Sequence, residues 1–289
     1  MEHPIELPAL DVPALLKSHQ ISPKKGLGQN FLLDPAALRK IITVAEIPEQ
    51  ATVLEIGAGL GSLTHYLAQA AQKVVAVELD GQLFPILQDV LANYHNVSLV
   101  RGDILKLNPA ELVKQEGYLV VANIPYYITS NLIRHLLEAE IKPKRLVLTV
   151  QREVAERICA KPGELSLLAL GVQVYGLPKI AGQIPAGAFY PAPKVDSSIV
   201  RVDLYPQPVI PAEYLDRFFR LAKAGYSQKR KTMRNALAGG LGWPTSRAAE
   251  LLQAAGIDPQ RRAETITLAE WGDLTALAGD TSAEAARPE

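Results

Sequence analysis

The stretch VLEIGAGLGSLTHYL, residues 53–67, decides the fold class of this chain of 289 residues. It begins with apolar and β-branched residues, which are typical of a buried strand, and it continues into a helical pattern. Three glycines, Gly57, Gly59 and Gly61, lie at the turn between the two. Glycine lets a backbone turn tightly and approach a ligand, because no Cβ stands in the way. The stretch therefore predicts a strand, a ligand-facing glycine loop and a helix.

Predicted strands and helices alternate along the first two thirds of the chain. The strands cover residues 52–56, 73–79, 97–100, 118–122 and 145–150, and the helices cover 34–44, 62–71, 82–91, 130–138 and 153–159. Nearly continuous apolar strands between helices indicate a parallel sheet that is covered on both faces. The segments KIAGQIP (179–185) and SSIVRVDLY (197–205) predict an antiparallel hairpin at the edge of that sheet. The predicted fold class is α/β, with a Rossmann-like domain.

The pattern changes after residue 205. The segment PQPVIP (206–211) is typical of a linker, and only helices are predicted beyond it, over residues 212–224, 229–237, 245–254 and 268–277. We therefore predict four parts. They are a loosely held N-terminal arm (1–22), the Rossmann-like domain (23–205), a small all-helical C-terminal domain (206–278) and a tail with the composition of disorder (279–289).

The bulk composition excludes some classes of protein. Thirty basic and thirty acidic residues give a formal net charge of zero, so the global charge indicates no partner. The single cysteine, Cys159, excludes an intrachain disulfide and a thiol-rich metal site, and the scattered histidines lead us to expect no metal. The N-terminus lacks the features of a secretory signal, and no apolar run is long enough to span a membrane. We expect a soluble, cytoplasmic monomer without membrane contact.

Two acidic residues follow the glycine loop at positions that suit an adenosine-containing ligand. Glu78 stands 21 positions after Gly57, where a carboxylate can bind ribose hydroxyls. Asp103 ends the next strand, where it can accept a hydrogen bond from an adenine amine. NAD, FAD and S-adenosylmethionine sites share such loops, and a merely tight turn is the structural alternative. Glu55 precedes the glycines and would repel a phosphate but suits a sulfonium cation, so the pattern favours S-adenosylmethionine.

The segment ANIPYY, residues 122–127, places polar groups at the end of a core strand. The lone pair of an exocyclic base amine is delocalised into the ring, so acceptors on its hydrogens would favour the pyramidal form that attacks. The side-chain oxygen of Asn123 and the carbonyl of Ile124 can supply two acceptors. Pro125 would stiffen this turn, Tyr126 offers a flat face for a base, and Tyr127 is interpreted as a core aromatic. The alternative is that Asn123 only caps a helix.

Seven segments resemble the ribosomal RNA adenine dimethyltransferases, and they are GLGQNFLLD, EIGAGLGSLT, VELD, GDIL, NIPY, QREVAERI and FYPAPKVDS. The resemblance runs from about Lys24 to about Thr265. It implies S-adenosylmethionine as cofactor, with Leu32 contributing through the nearby backbone. The implied cofactor-binding residues are Asn30, Leu32, Gly57, Glu78, Asp103 and Asn123. It also implies that Asn123 bridges cofactor and target amine, and that Tyr126 and Phe189 enclose a flipped adenine.

The resemblance is strongest to family members that act on small-subunit (16S) RNA. It implies transfer of two methyl groups to N6 of each of two adjacent adenosines near the 3′ end, linked to assembly of that subunit. An N6-methylase for large-subunit RNA, a DNA adenine methylase and a non-catalytic protein that binds ribosome precursors are the alternatives. The chain departs from the family where Gly163-Glu164 runs directly into LSLLAL, because this loop is shortened.

A basic run in the predicted helical domain indicates contact with RNA. Seven positive charges and no acidic residue lie between Arg217 and Arg234. A solvated helix face is the usual interpretation of such a run, but unpaired charge in a neutral chain favours a polyanion. The segment QKRKTMRNAL also resembles the family's RNA-contacting helix. The predicted RNA-binding residues are Arg220, Lys223, Lys229, Arg230, Lys231 and Arg234.

Overall fold

The computed structural model describes residues 10–279, so the first nine residues and the predicted tail after Gly279 lie outside the described residues. Within residues 10–279 the strands are β1 (Phe31–Leu32), β2 (Thr52–Ile56), β3 (Lys73–Glu78), β4 (Val97–Arg101), β5 (Leu119–Asn123), β6 (Arg145–Gln151), β7 (Gly176–Ile184), β8 (Phe189–Tyr190) and β9 (Ser197–Leu204).

The α-helices of the described residues are α1 (Val12–Ser18), α2 (Pro35–Ala45), α3 (Ser62–Ala70), α4 (Phe84–Val90), α5 (Pro109–Val113), α6 (Thr129–Leu137), α7 (Arg152–Ile158), α8 (Leu167–Gln173), α9 (Leu215–Gly225), α10 (Met233–Leu241), α11 (Thr245–Ala254) and α12 (Leu268–Leu277). In the described part of the chain, no helix is both long and apolar enough to cross a membrane.

Seven strands form one sheet in the order β4-β3-β2-β5-β6-β9-β7. The five strands from β4 to β6 are parallel, and β9 pairs with β6 in the antiparallel direction. Strands β2 and β5 have almost no exposed side chains, as expected of a sheet with both faces covered. The predicted α/β fold with a parallel sheet is confirmed, and β7 and β9 are neighbours at its edge as predicted.

Contacts divide the chain into two compact units. One contains the residues up to Glu156 together with Pro178–Leu204, and the other contains Arg157–Leu177 together with the residues from Tyr205 onward. The segment 157–177 belongs to the second unit because its backbone bonds there. The amide of Gly163, in the shortened loop, donates to the carbonyl of Glu264 over 2.9 Å. This division differs from the single boundary at residue 205 that the sequence predicts.

The N-terminal arm is not loosely held over its described part. Helix α1 begins at an N-cap, Asp11, whose carboxylate accepts a hydrogen bond from the amide of Ala14 over 3.0 Å. Val12 and Leu16, one turn apart, are buried in a cluster that includes Phe31 and eight other apolar residues that are at least partly buried. The prediction of a loosely held arm is wrong here, because a short amphipathic helix lies among the prolines that suggested an irregular chain.

The second unit packs around Trp271 and Phe218, whose side chains are fully buried. Helix α10 confirms the predicted helix over 229–237 only from Met233 onward, and the predicted start at Lys229 is wrong. Thr232 has an extended backbone with ψ of 157°, and the amide of Lys231 closes a turn onto Gln228. The amide of Met233 donates to the carbonyl of Arg261 over 2.7 Å, which fixes where the helix begins.

Candidate active site

The candidate site lies at the carboxyl ends of β2 and β5, where the strand order reverses. From β2 the chain proceeds to β3 and β4 on one side, and it then returns to β5 and β6 on the other. Open α/β sheets bind ligands at such a switch point. A Cβ added to Gly57 would lie 3.5 Å from the carbonyl oxygen of Asn123. The glycine loop and the ANIPYY segment are therefore adjacent.

A cavity of about 190 Å³ opens at this point. Its lining includes the six predicted cofactor-binding residues, which are Asn30, Leu32, Gly57, Glu78, Asp103 and Asn123. They come from five separate segments of the chain and are brought together by β1 and the ends of β2, β3, β4 and β5. The individual contacts of these residues with a cofactor stay predictions.

The glycine loop is held by the carboxylate of Glu78. Gly57 and Gly59 have φ of 77° and 60°, a left-handed conformation that favours glycine. The amide of Gly59 donates to Oε2 of Glu78 over 2.7 Å, and the amide of Asp80 donates to Oε1 over 2.7 Å. Burial raises the pKa of Glu78, and these two hydrogen bonds oppose the rise. Each oxygen keeps a lone pair that can accept from a hydroxyl.

Asp103 presents a half-buried carboxylate to the same cavity. Its Oδ1 accepts a hydrogen bond from the amide of Leu105 over 3.1 Å, which fixes the side chain. Among the described residues no hydrogen bond reaches Oδ2. That oxygen can accept from an amine such as that of adenine.

Glu55 lies at the floor of the cavity and is 1 % exposed. Burial raises the pKa of its carboxyl to about 8, the hydroxyl of the neighbouring Thr64 opposes the rise, and the nearby Glu78 adds to it. Its Oε2 is buried and accepts no hydrogen bond from any residue in the described range. An orphaned carboxyl oxygen in a cavity suits a cationic group, because a cation would both pair with it and favour its ionised form. The methionine end of S-adenosylmethionine carries such charges, so the residues fit this cofactor.

The rim of the cavity carries two hydrogen-bond acceptors. Nδ2 of Asn123 donates to the backbone carbonyl of Asn30 over 3.0 Å, which fixes the orientation of the side-chain amide. Its Oδ1 accepts no hydrogen bond from the described residues. The same holds for the carbonyl of Ile124, whose own amide donates to the carbonyl of Thr149 over 3.3 Å. Two oriented oxygen acceptors therefore lie next to each other in the chain at this rim.

The aromatic residues that the sequence singles out near the site lie in different surroundings. Tyr126 belongs to a short 3₁₀ turn, Tyr126–Ile128, but its side chain lies outside what the structure describes. Tyr127 is 58 % exposed and lines the cavity, so its interpretation as a core aromatic is wrong. Phe189 does not line the cavity. It is 4 % exposed in the core beside its strand partner Leu32, and its stacking on a base stays a prediction.

A hydrogen-bonded cluster beside the cavity contains three residues to which the sequence analysis gives no role. Asp80 accepts from Nζ of Lys24 over 2.8 Å and from Nε2 of Gln29 over 2.9 Å. Oε1 of Gln29 in turn accepts from the backbone amide of Lys24 over 2.7 Å. Only the VELD motif could have indicated Asp80, and its two partners lie more than 50 positions away in sequence.

The predicted RNA-binding residues lie on two helices and the connection between them. Helix α9 carries Arg220 and Lys223, the connection carries the exposed Lys229, Arg230 and Lys231, and α10 carries Arg234. The three residues of the connection are therefore not on a helix face. Their contact with RNA stays a prediction.

The fold and the site together define a class, the S-adenosylmethionine-dependent methyltransferases. A parallel sheet, a glycine loop at its switch point and an acidic residue after the next strand bind an adenosine cofactor in this class. The orphaned Glu55 suits the charged end of that cofactor. The two acceptors at the rim suit a target amine.

Comparison with known proteins identifies the family. Residues 21–278 match the family model described as ribosomal RNA adenine dimethylase. A relative named ribosomal RNA small subunit methyltransferase A, from Dehalococcoides mccartyi strain CBDB1, is 43 % identical over 282 residues, which cover 95 % of this chain and 97 % of the relative. The chain therefore belongs to the ribosomal RNA adenine dimethylase family and is an rRNA adenine dimethyltransferase that uses S-adenosylmethionine.

Two solved structures share the fold. The 23S rRNA methyltransferase ErmE is 27 % identical with a TM-score of 0.69, over 86 % of this chain and 99 % of that one. A dimethyladenosine transferase from Plasmodium falciparum is 26 % identical with a TM-score of 0.71, over 84 % of this chain and 95 % of that one. Because a 23S rRNA methyltransferase shares this fold, the fold alone does not identify which ribosomal RNA is the substrate.

Proposed function

We propose that this protein transfers two methyl groups from S-adenosylmethionine to N6 of each of two adjacent adenosines near the 3′ end of 16S rRNA. The transfer accompanies assembly of the small ribosomal subunit in the cytoplasm. The name of the relative that is 43 % identical supports the small subunit as the substrate.

The observation that carries this proposal is the pair of acceptors at Asn123 and Ile124. An adenine amine has two N–H groups and a lone pair that is delocalised into the ring. Hydrogen bonds from these N–H groups to Oδ1 of Asn123 and to the carbonyl of Ile124 favour the pyramidal amine, whose lone pair can attack. Positioning and electrostatics carry catalysis in such a site, and no strong general base is needed.

When bound, S-adenosylmethionine supplies a methyl group on a positively charged sulfur. Glu55 would hold the charged methionine end, Glu78 the ribose and Asp103 the adenine, while the glycine loop lets the backbone approach the ligand. Asn123 and Ile124 keep N6 in front of that methyl. The N6 proton leaves to water after the new N–C bond has formed. The monomethylated amine retains one N–H, so one acceptor still orients it for the second transfer.

The basic run between Arg217 and Arg234 would bind the RNA substrate. Lys229, Arg230 and Lys231 are exposed on the connection between α9 and α10, and exposed cations of this kind contact phosphates. Tyr126 and Phe189 would enclose the extruded adenine, since a base must leave its stack to be reached. Phe189 can do so only if the base reaches a ring that is covered in this structure.

A methylation assay with mapped products tests the proposal. Purified protein is incubated with S-adenosylmethionine labelled in the methyl group and, separately, with unmethylated small subunits, 16S rRNA and 23S rRNA. We expect N6,N6-dimethyladenosine at two neighbouring positions of the small-subunit RNA. Label in 23S rRNA alone would favour the large-subunit alternative, and binding without label would favour a non-catalytic protein.

A further inference from the structure

We propose that Asp80 is a positioning residue for methyl transfer: it holds the segment 24–30 so that the carbonyl of Asn30 orients the amide of Asn123. This inference rests on the proposed function. Asp80 does not line the cavity, and it acts through residues that do. No substrate or cofactor contact is assigned to it.

The path from Asp80 to the rim is short. Nε2 of Gln29 donates to Oδ2 of Asp80, and Gln29 is the residue immediately before Asn30. Nδ2 of Asn30 donates to the carbonyl of Gly28 over 3.1 Å, so its side chain also stiffens this segment. The carbonyl of Asn30 then accepts from Nδ2 of Asn123. A shift of Gln29 would therefore move the group that sets the direction of Oδ1 of Asn123.

The carboxylate of Asp80 is buried and charged. Its side chain is 3 % exposed, whereas that of its partner Lys24 is 40 % exposed. Burial alone would raise the pKa of Asp80, but the hydrogen bonds from Lys24, Gln82 and Gln29 hold it below its usual value. A buried charge with this many donors fixes their geometry more strongly than a neutral group would.

Asp80 is also linked to the ribose side of the cavity, through its backbone amide. The amide of Asp80 donates to Oε1 of Glu78, and the amide of Gln82 donates to Oδ1 of Asp80 over 3.0 Å. The segment 24–30 is thus attached to the strand end that carries Glu78. Asp80 connects the two walls between which cofactor and target amine would meet.

Counting donors shows why a carboxylate is needed. Oδ1 of Asp80 accepts from Lys24 and Gln82, Oδ2 accepts from Gln29, and Oε1 of Gln29 accepts from the amide of Lys24. In Asp80→Asn one of these acceptors becomes a donor. Neither rotation of the two amide groups then avoids a contact between two donors.

A compensating substitution restores every hydrogen bond. In the double variant Asp80→Asn with Gln29→Glu, the new glutamate accepts from the amide of Lys24 and from the new asparagine. The net charge of the pair is unchanged. Gln29→Glu alone places two carboxylates against each other, so it is expected to impair the protein as Asp80→Asn does.

The test compares single-turnover methyl transfer to unmethylated small subunits at saturating cofactor and RNA. We expect Asp80→Asn to lower the rate about tenfold, because small misplacements of a positioning group have effects of this size. The double variant is expected to recover to within about threefold of the wild type, with an unchanged dissociation constant for RNA throughout. Melting temperatures of all variants separate the two roles: if Asp80 only stabilises the fold, Asp80→Asn that is fully folded at the assay temperature transfers methyl groups at the wild-type rate.

Glu138→Gln is the matched control. It removes an exposed carboxylate just after the end of α6, whose distance to Nε of Arg134 is also 2.8 Å, and it should leave the rate unchanged. If Asp80→Asn does not fold, the inference is tested with Lys24→Met. A rate of methyl transfer that is lowered at least threefold in Lys24→Met then supports it. An unchanged rate in Asp80→Asn or Lys24→Met, or a folded double variant without recovery, overturns it. A wild type without methyl transfer overturns the proposed function instead.

Discussion

The side-chain nitrogen of Asn123 donates a hydrogen bond to the backbone carbonyl of Asn30, with 3.0 Å between the two atoms. A carbonyl can only accept, so the amide of Asn123 has one satisfied orientation and its oxygen faces the other way. This single contact joins the segment before α2 to the end of β5. It determines which atom of Asn123 is presented to a substrate.

Replacing Asn123 by alanine should therefore remove catalysis and spare binding. We expect the rate of methyl transfer to fall at least a hundredfold, the loss that follows removal of one oriented polar group in comparable sites. The dissociation constant for RNA should stay within twofold, because the basic run is untouched. Single-turnover kinetics and filter binding measure the two quantities, and wild-type turnover in this variant would remove Asn123 from the mechanism.

The buried carboxyl of Glu55 should make stability depend on pH. Burial raises its pKa from 4.5 in the unfolded chain to about 8, so the folded protein binds more protons between these values. The stability that it contributes is greatest at low pH and is lost as the pH rises through this window. Glu55→Gln mimics the protonated form and should lack this loss. Melting temperatures of both proteins without cofactor, from pH 5 to pH 9, measure the difference, and parallel curves would contradict the assignment.

Substituting Lys229, Arg230 and Lys231 together by alanine should weaken RNA binding and reduce its salt dependence. If each contacts one phosphate, the slope of log K against log salt should decrease in magnitude by about 2 to 3. The matched control replaces Lys73, Lys114 and Lys144, which are exposed near the amino ends of strands, opposite the cavity. An equal slope in the two triple variants would show that the basic run is a solvated surface and does not contact RNA.

Phe189 allows packing to be separated from base stacking. Phe189→Ala leaves a hole in the core and should cost about 3 kcal/mol or more of stability. Phe189→Leu keeps most of the volume, so it should fold with nearly the wild-type melting temperature. Loss of stacking should still lower kcat/KM for RNA about tenfold in that variant. A wild-type kcat/KM in Phe189→Leu would show that the ring only packs.

The sequence predicts the central strands well because their signals are local. Strand β2 has the predicted bounds, since apolar β-branched residues end at a glycine. Helices α11 and α12 also have their predicted bounds. Helix α5 was missed although Asn108-Pro109 carries the same cap signal as Asp34-Pro35 before α2, and its five residues were too few for a periodic pattern.

Features that depend on distant partners could not be predicted in this way. The two-stranded sheet of β1 and β8 pairs residues that lie more than 150 positions apart. The cluster of Asp80, Lys24 and Gln29 depends on where the chain places side chains 51 and 56 positions apart. The positions of Glu78, Asp103 and Asn123 were predictable, because parallel strands bring their carboxyl ends to one edge of a sheet.

Mass mapping of small-subunit RNA is the most direct test that Asn123 at the rim of the cavity carries methyl transfer to this RNA. Subunits from cells that lack this protein are treated with the wild type or with Asn123→Ala, and the 3′ fragment of the RNA is analysed for methylated adenosines. We expect two neighbouring N6,N6-dimethyladenosines after treatment with the wild type and unmodified adenosines after treatment with the variant. Dimethylation by both proteins, or by neither, would contradict this expectation.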